Sequence, residues 1–146
     1  MSHIVEISLE IKDLDCLAVA AQSLGLELVR DQRTFKWYGQ WVGNFPMPTG
    51  FQKSEMGHCE HAIRVVGNGR AYEIGVVTRR DGKRGFTLHF DPWSGGFGLM
   101  EIVGQDAQKL LQAYSRAVVQ KQAARDGFRV QEATDAQGRV VMRLTR

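Results

Sequence analysis

Two dipeptides, Asn68-Gly69 and Asp81-Gly82, interrupt three runs of alternating apolar residues, and this arrangement constrains the fold more than any other feature of the chain. Tight type I′ turns need positive φ at both central positions, which Asn-Gly and Asp-Gly accept at small cost. The spacing therefore predicts an antiparallel meander of "EHAIRVV", "AYEIGVV" and "FTLHFD". Side-chain direction along a strand has a period of two. One face of the meander then carries His61, Ile63, Val65, Tyr72, Ile74, Val76, Phe86, Leu88 and Phe90, and the other Arg64, Glu73, Thr87, His89 and Asp91.

The flanking segments fit the same scheme. "HIVEISLEI" alternates Val5, Ile7, Leu9 and Ile11 with Glu6, Ser8 and Glu10, and predicts a first strand. "DLDCLAVAAQSLG" predicts a helix with Asp13 as N-cap, Leu14, Leu17, Ala21 and Leu24 on one face, and Gly25 at its end. "LELVRD" and "RTFKWYG" read as two short strands, or as one strand bent near Asp31 and Gln32. "GQDAQKLLQAYSRAVVQKQAARDG" predicts a long amphipathic helix whose stripe runs through Ala107, Leu110, Leu111, Tyr114, Ala117 and Val118. "FRVQEA", "TDAQG" and "RVVMRLTR" predict a closing hairpin. The expected fold is α+β: an antiparallel-rich sheet of about six to seven strands, with two helices packed on one face, in a single domain spanning 1–146.

Residues 40–57, "QWVGNFPMPTGFQKSEMG", follow no period. Loops longer than about 12–15 residues without structure of their own are uncommon in compact domains unless they serve a function. The polar face of the meander is thus either a solvated sheet surface or a platform closed by this loop. The aromatics Trp37, Tyr38, Trp41, Phe45, Phe51 and Trp93 favour the platform, being many to leave wet.

Charge points to one turn. Arg79, Arg80, Lys83 and Arg84 against Asp81 sum to +3, equal to the net charge of the whole chain. Guanidinium groups grip phosphates with two hydrogen bonds, and indole and phenol faces stack on bases. The leading expectation is accordingly a non-enzymatic binding protein for a small anionic, ring-containing ligand, such as a nucleotide or nucleotide-derived signal, which it could sequester. Its expected contacts are Arg79, Arg80, Lys83 and Arg84 to phosphate, Trp37, Trp41 and Trp93 to the ring, and Arg64 with His89 as polar anchors. The plainer reading of the turn is a solvated hairpin end. A second functional reading is an interaction module whose loop aromatics meet another protein or a second copy of the chain. A third is a phosphodiester hydrolase working through His89 and Asp91, which share a strand face.

Other chemistries find less support. "GHCEH" puts His58, Cys59, Glu60 and His61 together, but on a strand they point alternately to opposite faces, leaving too few convergent ligands for zinc, and no cofactor is expected. Cys59 beside histidines is a weak nucleophile motif. The runs "GNGR" and "SGGFG" lack the Lys-Ser/Thr of a phosphate loop, so Gly95, Gly96 and Gly98 are read as easing the step from strand to helix. No helix carries a basic recognition face, so duplex DNA is not an expected partner. No apolar run approaches the ~20 residues of a membrane helix, and "MSHIVEISLEIKD" lacks the basic and apolar segments of a secretory signal. A cytoplasmic protein with two free thiols, Cys16 and Cys59, is expected.

"YGQ" (38–40), "HAIRV" (61–65), "YEIGVV" (72–77), "HFDPWSG" (89–95) and "QAARDGFRV" (122–130), with the initial "MSHI", resemble the small conserved open-reading-frame family of plastids and cyanobacteria, found also in other bacteria and in phages. The resemblance implies a compact α+β domain in a soluble intracellular setting. It implies no activity, substrate or catalytic residue. The long 40–57 loop and the basic turn depart from the family pattern.

Overall fold

The computed structural model describes residues 2–146, with the side chains of Ser8 and Leu9 outside the described residues, so the faces expected for those two remain outside the description. In chain order the elements are β1 (Val5–Ile11), α1 (Leu14–Ser23), β2 (Leu26–Arg30), β3 (His61–Val65), β4 (Ile74–Thr78), β5 (Phe86–Phe90), α2 (Leu99–Val103), α3 (Gln108–Arg125), β6 (Arg129–Thr134) and β7 (Val140–Thr145). The fold is α+β and antiparallel. The strands divide between a five-stranded sheet of order β1-β5-β4-β3-β2 and a separate two-stranded hairpin, β6-β7.

The meander forms the centre of the sheet, with Ile63 opposite Ile74 and Val76 opposite Leu88. Its predicted apolar face carries the larger core, where Ile63, Val65, Ile74, Val76, Leu88 and Phe90 meet Leu17, Ala20 and Ala21 of α1 and Leu110, Tyr114 and Ala117 of α3. Alanines at 20, 21 and 117 let the two helices approach closely, and α1 packs extensively on α3. Asp13 caps α1 by accepting the Cys16 amide at 3.0 Å, and its other oxygen takes the Lys121 ammonium of α3 at 2.6 Å. The Tyr114 phenol accepts the Lys12 and Asp13 amides at 3.1 and 3.2 Å, satisfying donors that the step from β1 to α1 would otherwise leave unpaired.

Residues 33–39 depart from expectation, whereas 40–57 form the expected long loop. "RTFKWYG" forms no strand; a single bridge joins Thr34 to His58, and Asp31, at φ 64°, turns the chain out of β2. Apart from a short 3-10 turn at Lys53–Glu55, residues 40–57 are irregular, yet they are packed. Ile4, Phe35, Met56, Cys59, Ala62 and Val77 form a second buried cluster on the sheet face away from the helices, with Trp37, Trp41, Met47 and Phe51 half-buried around it. Small residues on the strands make room for the rings. A Cβ at Gly75 would sit 2.6 Å from Cε1 of Phe35. Of the two readings of this face, open to solvent or closed by the 40–57 loop, the first is therefore excluded: the loop roofs it, and Thr87, His89 and Asp91 are buried beneath. Cys16 and Cys59 lie in different cores as free thiols. Among the described residues no helix is long and apolar enough to cross a membrane.

Between β5 and α3 the chain makes two turns that periodicity did not reveal. Ser94, Gly95, Gly96 and Phe97 all have φ between 52° and 63°, forming a left-handed turn that ends in α2. Asp106 and Ala107 repeat the left-handed geometry just before α3. For a residue with a Cβ this conformation costs roughly 1–2 kcal/mol. The glycines at 95 and 96 remove that cost at the centre of the turn but not at Ser94 and Phe97.

Candidate functional site

The roofed face holds a small cleft of about 170 Å³ lined by Glu6, Thr49, Arg79, Arg80, Asp81 and Thr87. Its floor is organised by register: Glu6 of β1 stands opposite His89 of β5, and the His89 Nε2 lies 3.1 Å from a Glu6 carboxylate oxygen. His89 is only 1% exposed, covered edge-on by Phe51 at 4.8 Å between ring centres. Burial pushes its pKa below the usual imidazole value, against the opposing pull of Glu6. Arg80 lies over the outer face of Phe51, 4.0 Å from the ring centre, and pairs with Glu55 at 2.7 Å. Arg79 pairs with Asp81, whose carboxyl is held at about 2 by that guanidinium and the Lys83 amide.

These pairings change the reading of the basic turn. Arg79 and Arg80 already have carboxylate partners, and the cleft they line also contains Glu6 and Asp81, so it offers no net positive field to an anion. Lys83 and Arg84 are exposed at the bend. Trp37 and Trp41 are half-buried in the second core rather than lining a shared hollow; a Cβ at Gly57 would sit 2.5 Å from the Trp37 Nε1. Arg64 is spent on Glu27 through two hydrogen bonds, at 2.8 and 2.6 Å, across the β2-β3 pair. His89 and Asp91 do not form a pair, because His89 turns to Glu6 while both Asp91 oxygens are engaged elsewhere. The expectation that cations and indoles of all the named residues converge on one hollow is not met.

Trp93 is the exception. It opens the left-handed turn, is 37% exposed, and belongs to a row of rings: Tyr38 at 5.2 Å, Phe97 at 5.8 Å, and Tyr72 beyond Phe97 at 5.1 Å. Tyr38 and Phe97 are 46% and 44% exposed. Asp91, fully buried below them, fixes the arrangement. One of its oxygens accepts the Trp93 amide at 3.0 Å, and the other accepts the Tyr38 amide at 3.2 Å and the Ser2 hydroxyl. Burial, and then proximity to this carboxylate, raise the Tyr72 phenol pKa. The turn is further tied by the Tyr72 amide to the Gly96 carbonyl at 2.8 Å.

The neighbouring turn 67–70 supplies charge. The Asn68 side-chain amide donates to the Phe97 carbonyl at 3.2 Å, and the Lys36 ammonium donates to the Gly69 carbonyl. Neither Lys36 nor Arg70 has a carboxylate partner among the described residues. Glu73, close by, is turned to the Gln32 side chain and the Lys36 backbone amide. A groove of about 230 Å³ runs here, lined by Lys36, Arg64, Asn68, Gly69 and Glu73 among others. Lys36, Arg70 and Phe97 were not among the expected site residues. Phe97 sits in a glycine-rich run, and only the left-handed backbone brings its ring beside Trp93.

Among the described residues no group of three His, Cys, Asp or Glu side chains is placed to hold a metal ion. The Cys59 thiol is unsuited to nucleophilic work: burial, then Glu60 and Glu73, push its pKa up to about 12. Fold and site together define an α+β protein with a row of three exposed rings beside a groove lined by Lys36, Arg64 and Glu73. No family model, curated protein or solved structure matches the chain.

Proposed function

We propose that this protein is a non-enzymatic binder of anionic, ring-containing ligands of the nucleotide class, and that the ligand's ring lies on Tyr38, Trp93 and Phe97. The supporting observation is that two of these exposed rings, Tyr38 and Trp93, are anchored through their amides to one buried carboxylate, and the third, Phe97, sits on the strained left-handed turn, near two cations without acidic partners among the described residues. Strained backbone persists where surrounding structure over-determines it, and such places cluster at functional sites. Large exposed aromatic groups with no internal task mark interaction surfaces. Lys36 and Arg70 favour an anionic ligand over an uncharged protein surface.

The test is Trp93 emission, read as the difference between the native chain and Trp93→Phe. Adenine nucleotides, from AMP to polyadenylate, should quench the native signal and raise the melting temperature, while inorganic phosphate should do neither. Stacking on an aromatic side chain contributes about 1–3 kcal/mol per base, so Trp93→Ala should weaken binding by roughly 5- to 150-fold. If neither AMP nor polyadenylate quenches Trp93, the reading falls.

A further inference from the structure

Resting on that reading, we infer that the ligand is a polymer: a single strand of nucleic acid whose bases cross the Tyr38-Trp93-Phe97 row and whose backbone continues along the groove between Lys36 and Asn68. Three features of the surface support a chain over a single nucleotide.

The rings form an open row. Sites for small molecules enclose most of the ligand in a concave pocket, whereas these three rings are each more than a third exposed and follow one another along the surface at interplanar angles of 52° and 62°. Successive bases of an unpaired strand can each take a ring, because every base has a flat face to offer.

The groove continues from the row. Asn68 touches Phe97 through its amide and also lines the groove, so a strand leaving Phe97 would enter it directly. Lys36 borders this path and Arg70 lies in the turn that forms its wall. Neither forms an ion pair among the described residues, in contrast to Arg79 and Arg80, so both charges can turn to phosphates, although the path also passes the Glu73 carboxylate.

The ring-bearing segments are cross-tied by hydrogen bonds within the chain. Asp91 joins two of them, and the Tyr72 and Asn68 hydrogen bonds join the turn to the segment leading into β4 and to the 67–70 bend. A preordered surface avoids the entropy of arranging rings on binding, which matters for a ligand that must itself be straightened.

The experiment is fluorescence anisotropy with a labelled oligothymidylate of ~12 nucleotides, within the usual span of single-strand sites, competed by TMP and by the same oligomer annealed to its complement. The oligomer should bind at least ~100-fold more tightly than TMP, and the duplex should compete poorly. Affinity should fall with salt, and Lys36→Ala and Arg70→Ala, both surface changes, should each lower the slope of log K against log salt by about 0.7. Equal affinity for TMP and the oligomer would overturn the polymer while leaving the nucleotide-class reading in place. Binding of neither would overturn both. An oligomer bound tightly but with an unaltered salt slope in both variants would overturn the proposed path.

Discussion

Tyr38 and Trp93 are held 5.2 Å apart, ring to ring, because their backbone amides donate to opposite oxygens of one buried carboxylate, Asp91. The chain reaches this point from two directions, out of the roofing loop and off the end of β5, and the carboxylate sets the angle at which both arrive. Ser2 supplies a third donor. A carboxyl group buried this deeply is tolerated because hydrogen bonds from these three donors replace its water.

Asp91→Asn tests that relationship. An amide has one acceptor oxygen where the carboxylate has two, so one amide donor loses its partner while the side-chain volume stays the same. A buried unsatisfied donor costs about 1–3 kcal/mol. The expected result is a loss of that size in chemical denaturation, together with a red shift of Trp93 emission as its segment loosens. Full stability with unchanged emission would mean that ring packing alone sets the geometry.

His89 predicts the pH dependence of stability. The charged groups facing it are Glu6, Glu60 and Arg80, and burial dominates, so its folded pKa lies below its unfolded value near 6.5. Between the two values the unfolded chain binds more protons than the folded one. Stability is therefore complete above about pH 6.5 and declines as pH falls below it, by at most ~1.4 kcal/mol per pH unit for one proton. Denaturation midpoints measured across this window should show the decline, and His89→Gln should flatten it.

Gly75 should be intolerant of a side chain. Its missing Cβ is the space that Phe35 occupies, and the neighbouring Cys59 Cβ leaves no route of escape at 3.2 Å. Gly75→Ala should overpack the second core and cost about 1–3 kcal/mol, with a lower melting temperature. Gly82→Ala makes the comparison, since nothing lies within 4 Å there and only its φ of 82° is strained.

The two thiols should be silent. Cys59 donates its thiol to the Gln32 carbonyl and titrates at about 12, and burial also raises Cys16. Thiolate is the reactive form, so a thiol-labelling reagent at about pH 8 should modify neither residue in the native protein and both after denaturation. Fast labelling of Cys59 alone would show that the 40–57 roof opens independently of the main core.

The meander was legible because period-two alternation acts locally: Ile63, Ile74, Val76 and Leu88 face the helices as their spacing requires. The Asn-Gly and Asp-Gly dipeptides marked where the strands are joined but not the turn geometry, since only Gly82 of the four residues has positive φ and loops 66–73 and 79–85 make the connections. Asp13 and Gly25 likewise bounded α1 through hydrogen bonds and backbone angles that involve only near neighbours. The roof over β3-β4-β5 was not legible in this way. Trp37 and Trp41 are wet or buried depending on whether Gly75 and Ala62 leave room beneath the loop, and no local pattern reports what lies across a gap.

The sequence by itself determined the α+β class, the order of the central strands and the two long helices, since each follows from interactions spanning a few residues. It also singled out Trp93, whose ring neighbours in the fold are Tyr38 and Phe97 and not Trp37 or Trp41. Only the tertiary structure decided that Arg79 and Arg80 would be neutralised by Asp81 and Glu55, that His89 would face Glu6, and that Tyr38, Trp93 and Phe97 would share a surface. The reason is physical: hydrogen bonds and ion pairs are decided by distance in space. Distant residues such as Tyr38, Asp91 and Phe97 acquire a distance only when the sheet, the roof and a left-handed turn have closed around them.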